Sequence, residues 1–190
     1  MAVDVNKITY GAGVLSLGAW VTAGGAGTLT DVGATVDGVE IQLDGAEDLE
    51  IEIDQAITPV KAVAMKAVKS LTCTIAEMGL PLLQQLLRQV AGNLTGADPN
   101  RSLIIDLPQS GDAYMLQATF VTRGIQGATG VYASRTYTFW KCKPKIEAIP
   151  HKKNEIQKYK LTLAIWQDTS IAPATAGKGQ FGKVVDTGAA

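Results

Sequence analysis

The chain has 190 residues, is 46 % apolar and carries a formal net charge of −1, which excludes disorder throughout and fits one core more simply than two. Its two cysteines, Cys73 and Cys142, match neither a zinc spacing nor a secreted disulfide framework, so two buried free thiols are expected. The near-zero charge conceals a division: residues 1–60 hold ten carboxylates against one lysine and residues 61–190 hold eight against sixteen lysines and arginines, or −9 and +8. This asymmetry points to self-complementary head-to-tail contacts or to one surface of defined sign.

In chain order, Ile8 to Thr30 carries no charge and approaches the ~20 residues a membrane helix needs. Six glycines and five hydroxyl residues make it too polar to face lipid, and the basic start and compact apolar segment of a signal peptide are missing, so a soluble, non-exported protein is expected. Asn93-Leu94-Thr95 is then a coincidental glycosylation pattern. Gly11 and Gly13 follow no buried strand and precede no helix, which argues against a nucleotide loop. They read as part of an edge strand or arm, before a loop at Gly24 to Gly27.

Val39, Ile41 and Leu43 alternate with Glu40, Gln42 and Asp44. After a turn at Gly45 and Ala46, Leu49, Ile51 and Ile53 alternate with Glu50, Glu52 and Asp54. The period of two predicts two half-buried strands, expected to pair as a hairpin with one carboxylate-rich face. Pro59 then removes a ladder donor and the alternation fades as far as Lys69, which predicts a long hairpin connection containing Pro59, Lys61, Lys66 and Lys69. Leu71, Cys73 and Ile75 restore the strand pattern. Pro81 opens a stripe at Leu82, Leu83, Leu86, Leu87 and Val90, which predicts a short helix ended by Gly92.

Further strands are expected at Leu103 to Leu107, at Tyr114 to Phe120, at Arg135 to Lys141, and at Tyr159 to Trp166, after the basic connection Lys152 to Lys158. Residues 171–190 have little apolar content and predict a flexible arm. The sequence therefore predicts a mainly β protein: an antiparallel sandwich or barrel over residues 1–170 with an amino-terminal arm at 1–18, one flanking short helix, a long hairpin loop and extended terminal arms.

Catalysis finds no support in this inventory. Glu50, Glu52 and Asp54 share a strand face, but a metal or an acid–base pair there needs converging partners, and the single histidine, His151, lies in a loop beside two lysines. No Ser/His/Asp order, metal cluster or phosphate loop can be assembled, so no enzyme activity, metal or cofactor is expected.

The order of an acidic strand, Asp54-Gln55 with Pro59-Val60-Lys61 in a long loop, a second strand and a leucine helix resembles the major tail tube protein family of tailed bacteriophages. The opening Tyr10-Gly11-Ala12-Gly13 and the late strand ending in Gln167-Asp168-Thr169-Ser170 are similar to that family as well. The resemblance implies a structural virion protein, assembled in the host cytoplasm, whose copies form hexameric rings with inner sheets closed into one barrel. The rings would stack into a conduit for double-stranded DNA. It implies that the loop at Pro59, Lys61, Lys66 and Lys69 and both arms reach neighbouring rings. Partners would be further copies, the tape measure, tail terminator and tail-tip or baseplate proteins, and a sheath if the tail is contractile, with no membrane. Because lysines in the lumen would trap phosphates, an acidic lining is expected from Glu50, Glu52 and Asp54, with Glu40 and Asp44 beside them.

Two alternatives stand beside this reading. A monomeric carbohydrate- or protein-binding sandwich, such as a decoration module, would group exposed aromatics on loops, whereas Trp140 and Trp166 fall within expected strands and Trp20 near one. A secretion-system tube protein shares the ring-forming logic, and no residue separates it from the phage reading.

Overall fold

The computed structural model describes residues 9–43, 46–51, 61–67, 69–126, 132–147, 149, 153, 157–173 and 175–187. The protein is mainly β. Its strands are β1 (Thr9–Ala19), β2 (Thr30–Asp31), β3 (Thr35–Gln42), β4 (Ala46–Ile51), β5 (Lys61–Ala67), β6 (Lys69–Ile75), β7 (Leu94–Ala97), β8 (Asn100–Leu103), β9 (Leu116–Gln126), β10 (Tyr132–Ile146), β11 (Tyr159–Trp166) and β12 (Gly182–Thr187), and the α-helix α1 spans Leu80–Leu86.

The main sheet runs β2-β1-β9-β10-β11-β6-β3, with β12 also on β10, and every pairing is antiparallel. β10 joins its two halves. Residues 134–139 pair with β12 and residues 141–146 with β11, and the register against β9 shifts between Phe139 and Cys142. A bulge of this kind bends a strand, so the sheet folds over itself and both halves face one core. Leu15 and Leu17 of β1, Ala118 and Phe120 of β9, Leu71 and Ile75 of β6 and Leu161 and Leu163 of β11 belong to that one cluster, each leucine, isoleucine or phenylalanine worth about 1.5–3 kcal/mol when fully buried. Cys73 and Cys142 are free and buried in it, as expected, and burial pushes their thiols up to about 11 and about 12.

Several expectations need correction. Val39–Leu43 and Leu49–Asp54 do not form a hairpin with each other: β3 pairs with β6 and β4 with β5. The expected connection from 54 to 69 is largely strand, since Lys61 and Lys66 lie in β5 and Lys69 in β6. Period-two alternation marks a strand but carries no information about which strand it pairs with.

The helix is shorter than its stripe. Leu82, Leu83 and Leu86 lie within it, Leu86 fully buried, but Leu87 is its C-cap and Val90 is exposed beyond it. Arg88 takes a left-handed φ of 54°. Its N–H donates to the Gln85 carbonyl and that of Gln89 to the Gln84 carbonyl, a Schellman ending with arginine where glycine is usual. The stop expected at Gly92 therefore comes four residues earlier.

The strand expected over Leu103 to Leu107 is β8, which ends at Leu103. Residues 171–190, read as an arm, contain β12, and Ile171 is buried. Within 1–18, also read as an arm, β1 pairs along its length with β9. Among the described residues no helix is long and apolar enough to cross a membrane.

Candidate assembly interface

Three features of the fold leave backbone or surface open. The first is a strand edge. β3 ends the main sheet and, among the described residues, pairs only with β6. Its register shifts between Val36 and Val39, where Asp37 and Gly38 take φ of 65° and 81°. Asp is among the few side chains that tolerate this region and Gly does so freely. The bulge blunts the amino-terminal part of the edge and leaves Val39–Gln42 as regular strand. Glu40, expected in the acidic lining, stands exposed here opposite Thr72.

The second feature is a ribbon. β4 and β5 form a separate two-stranded sheet, which lies in chain order between β3 and β6. Its register sets Glu47 opposite Lys66, Leu49 opposite Val63, Glu50 opposite Ala62 and Ile51 opposite Lys61. The acidic arm thus meets the basic arm inside one hairpin, at the position where the two charge regimes of the sequence adjoin. Glu40 and Glu50 follow one another along the same arm and are not cross-strand neighbours. Lys69 is no loop residue; its ammonium donates to the Leu43 carbonyl at 2.9 Å and lies 4.9 Å from the Phe181 ring centre, which fixes the base of the ribbon. Asp44, Glu52, Asp54 and Pro59 lie outside the described residues, as does His151.

The third is a cleft of about 330 Å³ between β1 and β3, where the curved sheet stops short of closing. Gly13, Val14, Gly33, Val39 and Phe120 line it with Asp31. β2 covers β1 only at Ser16 and Leu17, so the rest of that edge of β1 has no strand beside it among the described residues.

Elsewhere, a polar knot ties residues 20–24 to residues 168–170. Asp168 is fully buried. Its carboxylate accepts from the Trp20 indole at 3.2 Å, from the Ser170 amide at 3.0 Å and from the Ser170 hydroxyl, while the Ser170 Oγ accepts from the Ala23 amide at 2.7 Å. Burial by itself raises the Asp168 carboxyl, but the Ser170, Trp20 and Gly24 donors together hold it below the usual range. Around it, Lys141 pairs with Asp112 at 2.7 Å and lies 4.8 Å from the Trp20 ring centre, Lys178 donates to the Ala23 carbonyl, and Trp140 donates to Gly179. In sequence, Gln167-Asp168-Thr169-Ser170 reads as a strand end. Its one warning is the two-residue spacing by which an Asp accepts from the backbone of an Asx turn.

β12 is held by its ladder and by a bidentate pair: Arg135 donates through Nε at 2.6 Å and Nη2 at 2.8 Å to Asp186, which holds that carboxyl below its usual range. Among the described residues, no group of three or more His, Cys, Asp or Glu side chains is placed to hold a metal. No family model matches the chain, and no curated protein matches it.

Proposed function

We propose that this chain is a self-assembling structural subunit whose copies form stacked rings, a tube of the kind made by the tail tube proteins that its sequence resembles. The ribbon of β4 and β5 carries the reading. A two-stranded hairpin is at best marginally stable alone in water, and here it forms a sheet of its own with apolar residues placed in register across it. A neighbouring copy supplies the surface it lacks. The open β3 edge supports the same reading, since an unpaired edge is a template for another chain, and so does the −9 against +8 division of the sequence.

In such a tube the acidic set of Glu40, Asp44, Glu50, Glu52 and Asp54 provides the sign a DNA conduit requires, because a lumen that neutralised phosphates would bind its cargo in a salt-dependent way and stall it. Tape measure, terminator and tail-tip proteins, a virion location and passage of double-stranded DNA all belong to this proposal. Sedimentation velocity over a concentration series at low and high salt tests it. Large species that dissociate as salt rises and do not retain double-stranded DNA are the expected outcome. A species that stays monomeric at every concentration, or a tube that holds DNA tightly at low salt, contradicts it.

A further inference from the structure

Ile104, Ile105 and Leu107 are 57, 70 and 80 % exposed. A single exposed leucine means little, but three large apolar side chains within four residues make a patch. The segment that carries them is clamped on all sides. The Gln89 side chain, itself buried, binds Asp106 as a strand would, donating to its carbonyl at 2.9 Å and accepting from its amide at 3.0 Å. Ile104 donates to the Asn93 carbonyl. The Gln109 amide donates to the Arg88 carbonyl, and the Arg88 guanidinium returns a bond to the Gln109 carbonyl. The Asp106 carboxylate accepts from the Leu107 amide at 2.7 Å. A backbone so fixed loses little conformational freedom on binding.

We propose that Ile104, Ile105 and Leu107 form a knob by which one copy of this chain grips a second copy, entering that copy's cleft between β1 and β3. The inference rests on the self-assembly reading and names its contact. The cleft offers Val14, Val39 and Phe120 as apolar walls and Gly33, where a Cβ would meet only Glu77 at 3.6 Å, as a place where a side chain can come close to backbone, with a carboxylate at Asp31. Beside the knob, Arg88 has no carboxylate partner among the described residues, so its positive charge accompanies the apolar patch towards the one carboxylate lining the cleft, Asp31. Knob and cleft come from different parts of the surface, and such a heterologous contact propagates into rings or filaments and does not close a two-fold pair.

Cysteine cross-linking tests the contact, with buried Cys73 and Cys142 silent. A mixture of Leu107→Cys and Val14→Cys proteins, treated with a short bis-maleimide, is expected to give a cross-linked dimer. The double variant Ile105→Ser with Leu107→Ser is expected to keep its circular dichroism and thermal midpoint yet sediment as a monomer where the wild type assembles. A cross-link from Leu107→Cys to Ala113→Cys, in the cleft lined by Gln84, Gln85 and Met115, or between two Leu107→Cys copies, would indicate a different docking and overturns the knob-in-cleft contact. If the double serine variant assembles normally, the knob falls and the tube reading stands. If the wild type never assembles, both fall.

Discussion

Asp168 is a carboxylate kept in the fold by its donors. Without them a fully buried charge would be costly, and with them it fastens residues 20–24 to residues 168–170. Its folded pKa lies below the unfolded value of about 3.9, so the stability it contributes is complete above that pH and is lost as pH falls through the lower folded value. Asp168→Asn should lower the thermal midpoint at neutral pH, each buried donor left unmatched costing about 1–3 kcal/mol. The gap between wild type and variant should narrow as pH drops below about 4. A gap of constant size down to the acid limit would show that charge plays no part in the knot.

At the scale of elements, β12 is the strand least explained by its own side chains. Val184 and Val185 are both exposed although successive residues point to opposite faces, so no alternation marks it, and its place depends on the β10 ladder, on the Arg135–Asp186 pair and on close approach at Gly182. A Cβ there would lie 2.1 Å from the Thr138 carbonyl oxygen. Gly182→Val is therefore expected to release β12, cost about 1–3 kcal/mol by overpacking, and deprotect to hydrogen exchange the amides of Thr136 and Thr138, which face β12, while those of residues 135, 137 and 139 stay paired with β9. Unchanged protection would mean that the backbone shifts to accept the side chain.

β12 also shows where sequence reading stops. β11 was legible because Leu161, Leu163 and Ile165 are buried in strict alternation. So were β6 and both buried thiols. The pairing of β3 with β6 and of β4 with β5 was not, because period two is the same whichever partner a strand takes. The helix stripe extended to Val90 on spacing, but Arg88 closes the helix and Gln89 turns its side chain to hold Asp106. Of the acidic residues singled out by alternation, the structure places Glu40 on an exposed edge and Glu50 in the ribbon. The apolar knob left no periodic signal, since Ile104, Ile105 and Leu107 read as a strand that ought to be buried.

The whole molecule combines an incompletely closed sheet, a ribbon outside it, an exposed apolar knob and a charge split along the chain. The first three are liabilities in a solitary monomer, through aggregation at edges or through unburied apolar surface. In the proposed assembly they are the matching parts of repeated copies. The tube reading ties them to one architecture, in which the β4–β5 ribbon reaches a neighbour and the acidic arm carries the sign of the lumen.

Negative-stain electron microscopy of the purified protein at high concentration and low salt tests this account most directly. Rings, or hollow tubes with a regular axial repeat, are the expected result. Fields of single particles of about 20 kDa at every concentration would contradict it.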